Sequence, residues 1–156
     1  MAKYNITEKK EKTAAYRSLI SPQLMDEFEE KILNLVFVQK KYRLRDYSAK
    51  KLAEDIGTNT RYISAVVNMR FHMNYKTYVN KCRVEEARSL LVDQRYQHLK
   101  MEEIGMMVGF SNRQSFYAAF FRFLGMPPCD YRHQHFEKHP LQKKVEKKKE
   151  RKTKKS

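Results

Sequence analysis

Glycine and proline are scarce in this chain, four of each among 156 residues. So little turn punctuation does not suit a sandwich, a barrel or a loop-rich α/β enzyme. Cysteine is scarcer still. Cys82 and Cys129 have no companions at metal-ligand spacing, which excludes a disulfide scaffold and a zinc ribbon. No apolar run approaches the roughly 18–20 residues that cross a bilayer. The opening MAKYNITEKKEK has no apolar stretch of the signal-peptide kind. Neither a Ser/His/Asp set, a P-loop nor an HExxH segment occurs, so no catalytic role and no cofactor are expected. His133, His135 and His139 sit at i, i+2 and i+6 without a supporting Cys or carboxylate pattern, so no metal site is expected either.

Acidic residues are also in deficit, 18 against 33 Lys and Arg, which leaves a formal charge of +15. What is present is apolar and helical: hydrophobic residues make up 41%, enough for a core and too many for wholesale disorder. The length allows one domain, or two very small ones sharing a core. The expectation is a basic, mostly helical, cytoplasmic protein with no membrane segment.

The charge is unevenly placed. Residues 1–20 carry net +3, residues 21–136 net +5 and residues 137–156 net +7. The last segment has almost nothing apolar, so 137–156 is expected to be a disordered basic tail, either a solubilising end or a phosphate-binding arm. Residues 1–20 are polar and weakly patterned and are expected to be a loose leader. That leaves a domain over 21–136.

Within it, Ser21-Pro22 starts a helix to about Lys41, with Leu24, Phe28, Ile32, Leu35 and Val36 on one face. Ser48 caps a second helix, on which Leu52, Ala53 and Ile56 form the apolar stripe, and Gly57 ends it. Asn59 caps a third through about Arg70, with Ile63, Val66 and Val67 facing in and Arg61, Ser64, Ala65 and Asn68 facing out. Two short helices across a tight glycine turn form a helix-turn-helix, at about 48–70. Asn74 caps a long helix over 74–92 that includes Cys82 on its apolar stripe. The short-helix pattern then returns at about 100–124: Met101 to Val108, a stop at Gly109, and an Asn112-capped helix to Leu124. Pro127-Pro128 open a last helix containing Tyr131 and Arg132. The Phe and Met residues of this half are expected to be core.

The two short-helix units repeat. LAEDIGTN (52–59) aligns with IGMMVGFS (104–111), and Ile63, Val66 and Val67 align with Phe116, Ala119 and Phe120. One chain with two such units on a stiff helix can present two recognition helices on one face. Successive major-groove faces lie about 34 Å apart, so one copy could span what usually takes a dimer.

Residues 48–132 resemble the bipartite DNA-binding domain of the AraC/XylS family of bacterial transcription regulators. Gly109-Phe110-Ser111, Phe116, Phe120, Gly125-Met126-Pro127-Pro128 and Tyr131-Arg132 carry most of the likeness. Leu52-Ala53, Gly57, Tyr62-Ile63-Ser64, Arg83, Ala87 and Leu90-Leu91 add to it. The resemblance implies an all-α, seven-helix bipartite domain: two helix-turn-helix units joined by a long linker helix. It also implies sequence-specific binding of double-stranded DNA.

Position by position, the likeness puts DNA contact on Arg61, Ser64 and Asn68 in the first unit and on Arg113, Gln114 and Tyr117 in the second. Arg suits guanine O6/N7, and Gln suits adenine N6/N7. Family members usually have a long polar residue midway along each recognition helix; here those positions are Ala65 and Ala118. Phe121 stands where a Lys often touches phosphate, and with Tyr117 it either packs on the last helix or meets DNA. Base readout is therefore expected to lean on the second unit. With about 20 residues ahead of the first helix, the chain resembles stand-alone members that bind as monomers, and RNA polymerase is a candidate further partner. Two other function classes remain open: a non-specific architectural DNA-binding protein, and an output or interaction module controlled by a separate partner chain.

Overall fold

A computed structural model of the chain describes residues 6–140. Among these residues there are eight α-helices and no strand. They are α1 (Ile6–Leu19), α2 (Pro22–Ile32), α3 (Ala49–Ile56), α4 (Thr60–Phe71), α5 (Tyr75–Leu91), α6 (Met101–Val108), α7 (Arg113–Leu124) and α8 (Pro128–Lys138). The expected seven become eight because α1 is a helix, where a loose leader was expected. It has little apolar periodicity of its own and holds its shape against α4, with Tyr16 and Leu19 packed on the first core. The basic tail lies outside the described residues from position 141 onward, as do residues 1–5.

The helix starts follow from side-chain caps. Each start has backbone N–H groups without a helical acceptor, and a short polar side chain supplies one. Asn59 Oδ1 accepts from Tyr62 N at 3.0 Å, Asn74 Oδ1 from Thr77 N at 2.8 Å and Asn112 Oδ1 from Ser115 N at 2.8 Å. Ser48 does the same for α3 through Lys51 N at 3.3 Å. Beyond Ile32, α2 widens into π turns over Leu33–Val38, and a single 3₁₀ turn at Lys41–Arg43 leads the chain toward α3.

The apolar side chains divide into two clusters that share only α5. Tyr78, Val79 and Cys82 of α5 join the cluster of α2, α3 and α4, while Val84, Ala87 and Leu91 join that of α6 and α7. One helix thus belongs to both units and fixes their separation. Burial pushes the Cys82 thiol up to about 11, which leaves it protonated and unreactive.

A clasp across the 40–44 turn locks the units further. Arg83 of α5 donates to the carbonyls of Tyr42 at 2.7 Å and Leu44 at 3.0 Å. Glu86, one turn on, accepts from Tyr42 Oη and from Arg43, whose Nε lies 2.8 Å from Oε1. Gly109, at the end of α6, closes against the same turn, with φ +114° and no room for a Cβ between the Tyr42 carbonyl and the Arg83 guanidinium. In the second unit, Arg132 of α8 ties the connection between α5 and α6, donating to Leu91 O at 3.1 Å, Tyr96 O at 3.1 Å and Leu99 O at 2.8 Å.

Candidate nucleic-acid interface

α7 buries Phe116, Ala119 and Phe120 and turns its other side to solvent. At 3.6 residues per turn, Gln114, Ala118 and Phe121 fall on one outward stripe, with Arg113 on one flank and Arg122 on the other. All five are exposed, Phe121 by 56%. That exposure answers one open question: Phe121 does not pack on the last helix. The α7 ring that does is Phe120, which lies edge-on to Tyr131 of α8 with centroids 5.7 Å apart. Tyr117 is half-buried, edge-on to Phe116, and the Arg113 guanidinium lies over its ring at 4.8 Å while donating to its hydroxyl at 3.2 Å. The stack holds the Arg113 head near the start of α7 and limits its rotamers.

α4 carries Arg61, Ser64 and Asn68 along the side away from its core anchors Ile63, Val66 and Val67. Arg61 is exposed; Ser64 and Asn68 are half-buried, and Asn68 Nδ2 donates to Ser64 O at 2.8 Å. Arg70 belongs to packing, bridging to Glu29 at 3.1 Å and Asp26 at 2.5 Å on α2.

The two recognition helices carry alanine at the same place. Ala65 follows Ile63 by two residues, as Ala118 follows Phe116, which sets each about 200° around the helix from a core anchor. Ala118 is exposed as that placement requires. Ala65, expected to face out, instead has 0% exposure. Ala65 belongs to the first apolar cluster, and Tyr62, one turn earlier on α4, lies against Phe28 of α2 with ring centroids 6.2 Å apart. Tyr16 and Arg17 of α1 face Ser64, Asn68, Met69 and His72 of α4 across a shallow cleft. The outward face of α7 is open, whereas α1 faces the part of α4 that carries Ser64 and Asn68 and leaves Arg61 exposed.

Between the units, a groove runs from the first turns of α5 to the middle of α7. Lys76, Thr77 and Asn80 line one wall and Ser115, Ala118 and Arg122 the other. Lys76 and Arg122 are exposed cations there, and sequence reasoning passed over both. Neither belongs to a periodic pattern; only the crossing of α5 over α7 brings them together. No group of three or more His, Cys, Asp or Glu among the described residues converges to hold a metal ion. His133 instead pairs with Glu137 at 3.0 Å, one turn along α8.

A family model described as a helix-turn-helix domain matches residues 52–134. The chain is 28% identical over 122 residues to an uncharacterized response regulatory protein of Staphylococcus epidermidis, covering 78% of this chain and 47% of that one. It is also 28% identical over 81 residues to the melibiose operon regulatory protein of Escherichia coli, covering 52% of this chain and 26% of that one. The chain thus spans half or less of the length of these relatives. Among solved structures, the C-terminal domain of the two-component response regulator yesN from Fusobacterium nucleatum superposes with a TM-score of 0.60 at 26% identity, covering 67% of this chain and 96% of that one.

Proposed function

This chain belongs to the AraC-type helix-turn-helix domain family, a family of DNA-binding transcription regulators, and on that premise we propose that one copy reads an asymmetric promoter duplex through two successive major-groove segments. α7 is the principal reader. The observation that supports this most is its open outward face, where a guanine-reading Arg113 and an adenine-reading Gln114 stand beside an apolar pair, Ala118 and Phe121. An apolar side chain in the major groove finds one apolar feature there, the thymine methyl group. The proposed site preference therefore combines G and A near the start of α7 with thymine further along it.

α4 takes the second segment, with Arg61, Ser64 and Asn68 toward the bases. Lys76 and Arg122, facing each other across the groove between the units, neutralise the phosphates that pass between the two reading positions. Such contacts fix register without carrying sequence information. The family and fold are those of transcription regulators rather than enzymes. The proposed setting is the bacterial cytoplasm, at the nucleoid, with RNA polymerase as the partner that converts binding into regulation.

Selection of bound duplexes from a random pool at physiological salt tests this reading. The expected product is a single non-palindromic consensus whose binding survives a large excess of random duplex. The surplus of 15 positive charges favours a second reading, a non-specific architectural protein. Binding that the random competitor removes, together with selection that returns no consensus, would establish that reading instead.

A further inference from the structure

We infer that α1 is a built-in competitor of DNA: it occupies the outward face of the first recognition helix, and that helix enters a groove only after α1 leaves. The inference rests on the DNA-reading role proposed for α4 and adds a control to it. Ser64 and Asn68, on the side of α4 away from Ile63, Val66 and Val67, are half-buried. Phe121 of α7, which aligns with Asn68, is exposed. α1 lies against that side of α4, with Tyr16 and Arg17 facing Ser64, Asn68, Met69 and His72. Two of the proposed base-contacting side chains therefore line a cleft whose far wall is another part of the same chain.

The dimensions exclude simultaneous occupancy. An α-helix with its side chains is about 10–12 Å across, and the major groove of B-DNA is about 12 Å wide. One helix fits; a helix with a second one packed on its outward face does not. The contact is also of a kind that can be released. Of the α1 side chains whose burial is described, Thr13, Tyr16 and Leu19 are part-buried, while Lys10, Glu11, Lys12, Arg17 and Ser18 are exposed. A detached helix of 14 residues is marginal in water, so release amounts to local melting. The apparent affinity for a two-segment site is then the intrinsic affinity multiplied by the fraction of molecules with α1 detached.

Hydrogen exchange of the full chain, alone and with a saturating selected duplex, tests the competition directly. The expected result is that the α1 amides lose protection on DNA binding while those of α4 and α7 gain it. α1 amides as protected in the complex as in the free protein would overturn the inference. A full-length Tyr16→Ala variant provides the second measurement. It loosens α1 without touching α4, and it should bind the same duplex more tightly, about tenfold if the covered state predominates ten to one. It should leave binding to a half-site for α7 unchanged. An unchanged or weaker affinity of a folded Tyr16→Ala protein for the two-segment site would also count against the inference. A duplex bound specifically without release of α1 sinks this inference alone. Failure of both proteins to bind any selected duplex sinks the DNA-reading role with it.

Discussion

In the proposed reading, recognition leans on the outward side chains of α7, with Arg61, Ser64 and Asn68 of α4 in support. Arg113 is held over the Tyr117 ring at 4.8 Å, so its guanidinium is partly ordered, which would lower the entropy lost in the proposed base contact. Replacing Arg113 or Gln114 by Ala should each cost ~1–3 kcal/mol on the selected duplex and relax preference at one or two base pairs. Titration with that duplex, followed by re-selection with each variant, checks both effects. Wild-type affinity and consensus in both variants would refute the assignment. Phe121 makes a different prediction, because an exposed aromatic can gain only from an apolar partner. Phe121→Ala should weaken binding by about 1 kcal/mol, and so should replacing one thymine of the site by deoxyuridine, which deletes just the methyl group. The two changes together should cost little more than either alone, the signature of a shared contact in a double-mutant cycle. Strict additivity at every thymine would remove Phe121 from the base-reading set.

At the scale of elements, the clasp between α5 and the 40–44 turn decides how firmly the two readers are held. Gly109 and Gly57 both end a helix at positive φ, +114° and +85°, but a Cβ at Gly57 meets nothing within 4 Å whereas one at Gly109 strikes the Tyr42 carbonyl and Arg83. Gly57→Ala should therefore lose only the left-handed strain, about 1–2 kcal/mol, and Gly109→Ala clearly more, because the turn itself must shift. Urea denaturation of the two variants measures the difference. Glu86 gives the clasp a pH dependence. Burial raises its pKa, but the hydrogen bonds from Arg43 and Tyr42 and the Arg43 charge outweigh that, leaving its carboxyl below the usual 4.5. A depressed carboxylate adds stability above its unfolded value and loses it as pH falls through the folded one. Glu86→Gln should thus be less stable than wild type at pH 7, with the gap closing as the pH falls below 4.5 and through the lowered folded value. Most of these elements were legible in the sequence, because their signals are local: Asn59, Asn74 and Asn112 as caps, Gly57 and Gly109 as stops, apolar residues every third or fourth position. α1 was not legible, since its helix leans on α4 and not on a periodic face of its own. The burial of Ala65 was missed because it depends on which helices pack around α4. The Arg83 clasp and the meeting of Lys76 and Arg122 at one groove also stayed hidden, because both depend on where α5 crosses its neighbours.

For the molecule as a whole, the question is whether two readers on one rod act as one. α5 contributes to both apolar clusters within three residues, Cys82 to the first and Val84 to the second. It is 17 residues long, so its axis spans about 26 Å. Arg83 and Glu86 then pin the 40–44 turn to its middle, so neither unit swings freely about it. A rigid pair demands a fixed phase between its two half-sites. The spacing that places two recognition helices on one side of B-DNA is about one helical turn, ~10 bp from centre to centre. Inserting 5 bp between the halves of the selected site turns the second by about half a turn, onto the opposite side of the duplex. Binding should then fall to the affinity of the α7 half-site alone. Inserting 10 bp restores the phase but lengthens the gap by about 34 Å, further than the rod reaches, so it should not rescue binding. Sedimentation of the uninterrupted complex should give one protein per duplex. Affinity that tolerates either insertion, or a 2:1 complex on a palindrome, would mean that the units bind as flexible or separate modules. The clasp would then be only a folding device and not a ruler.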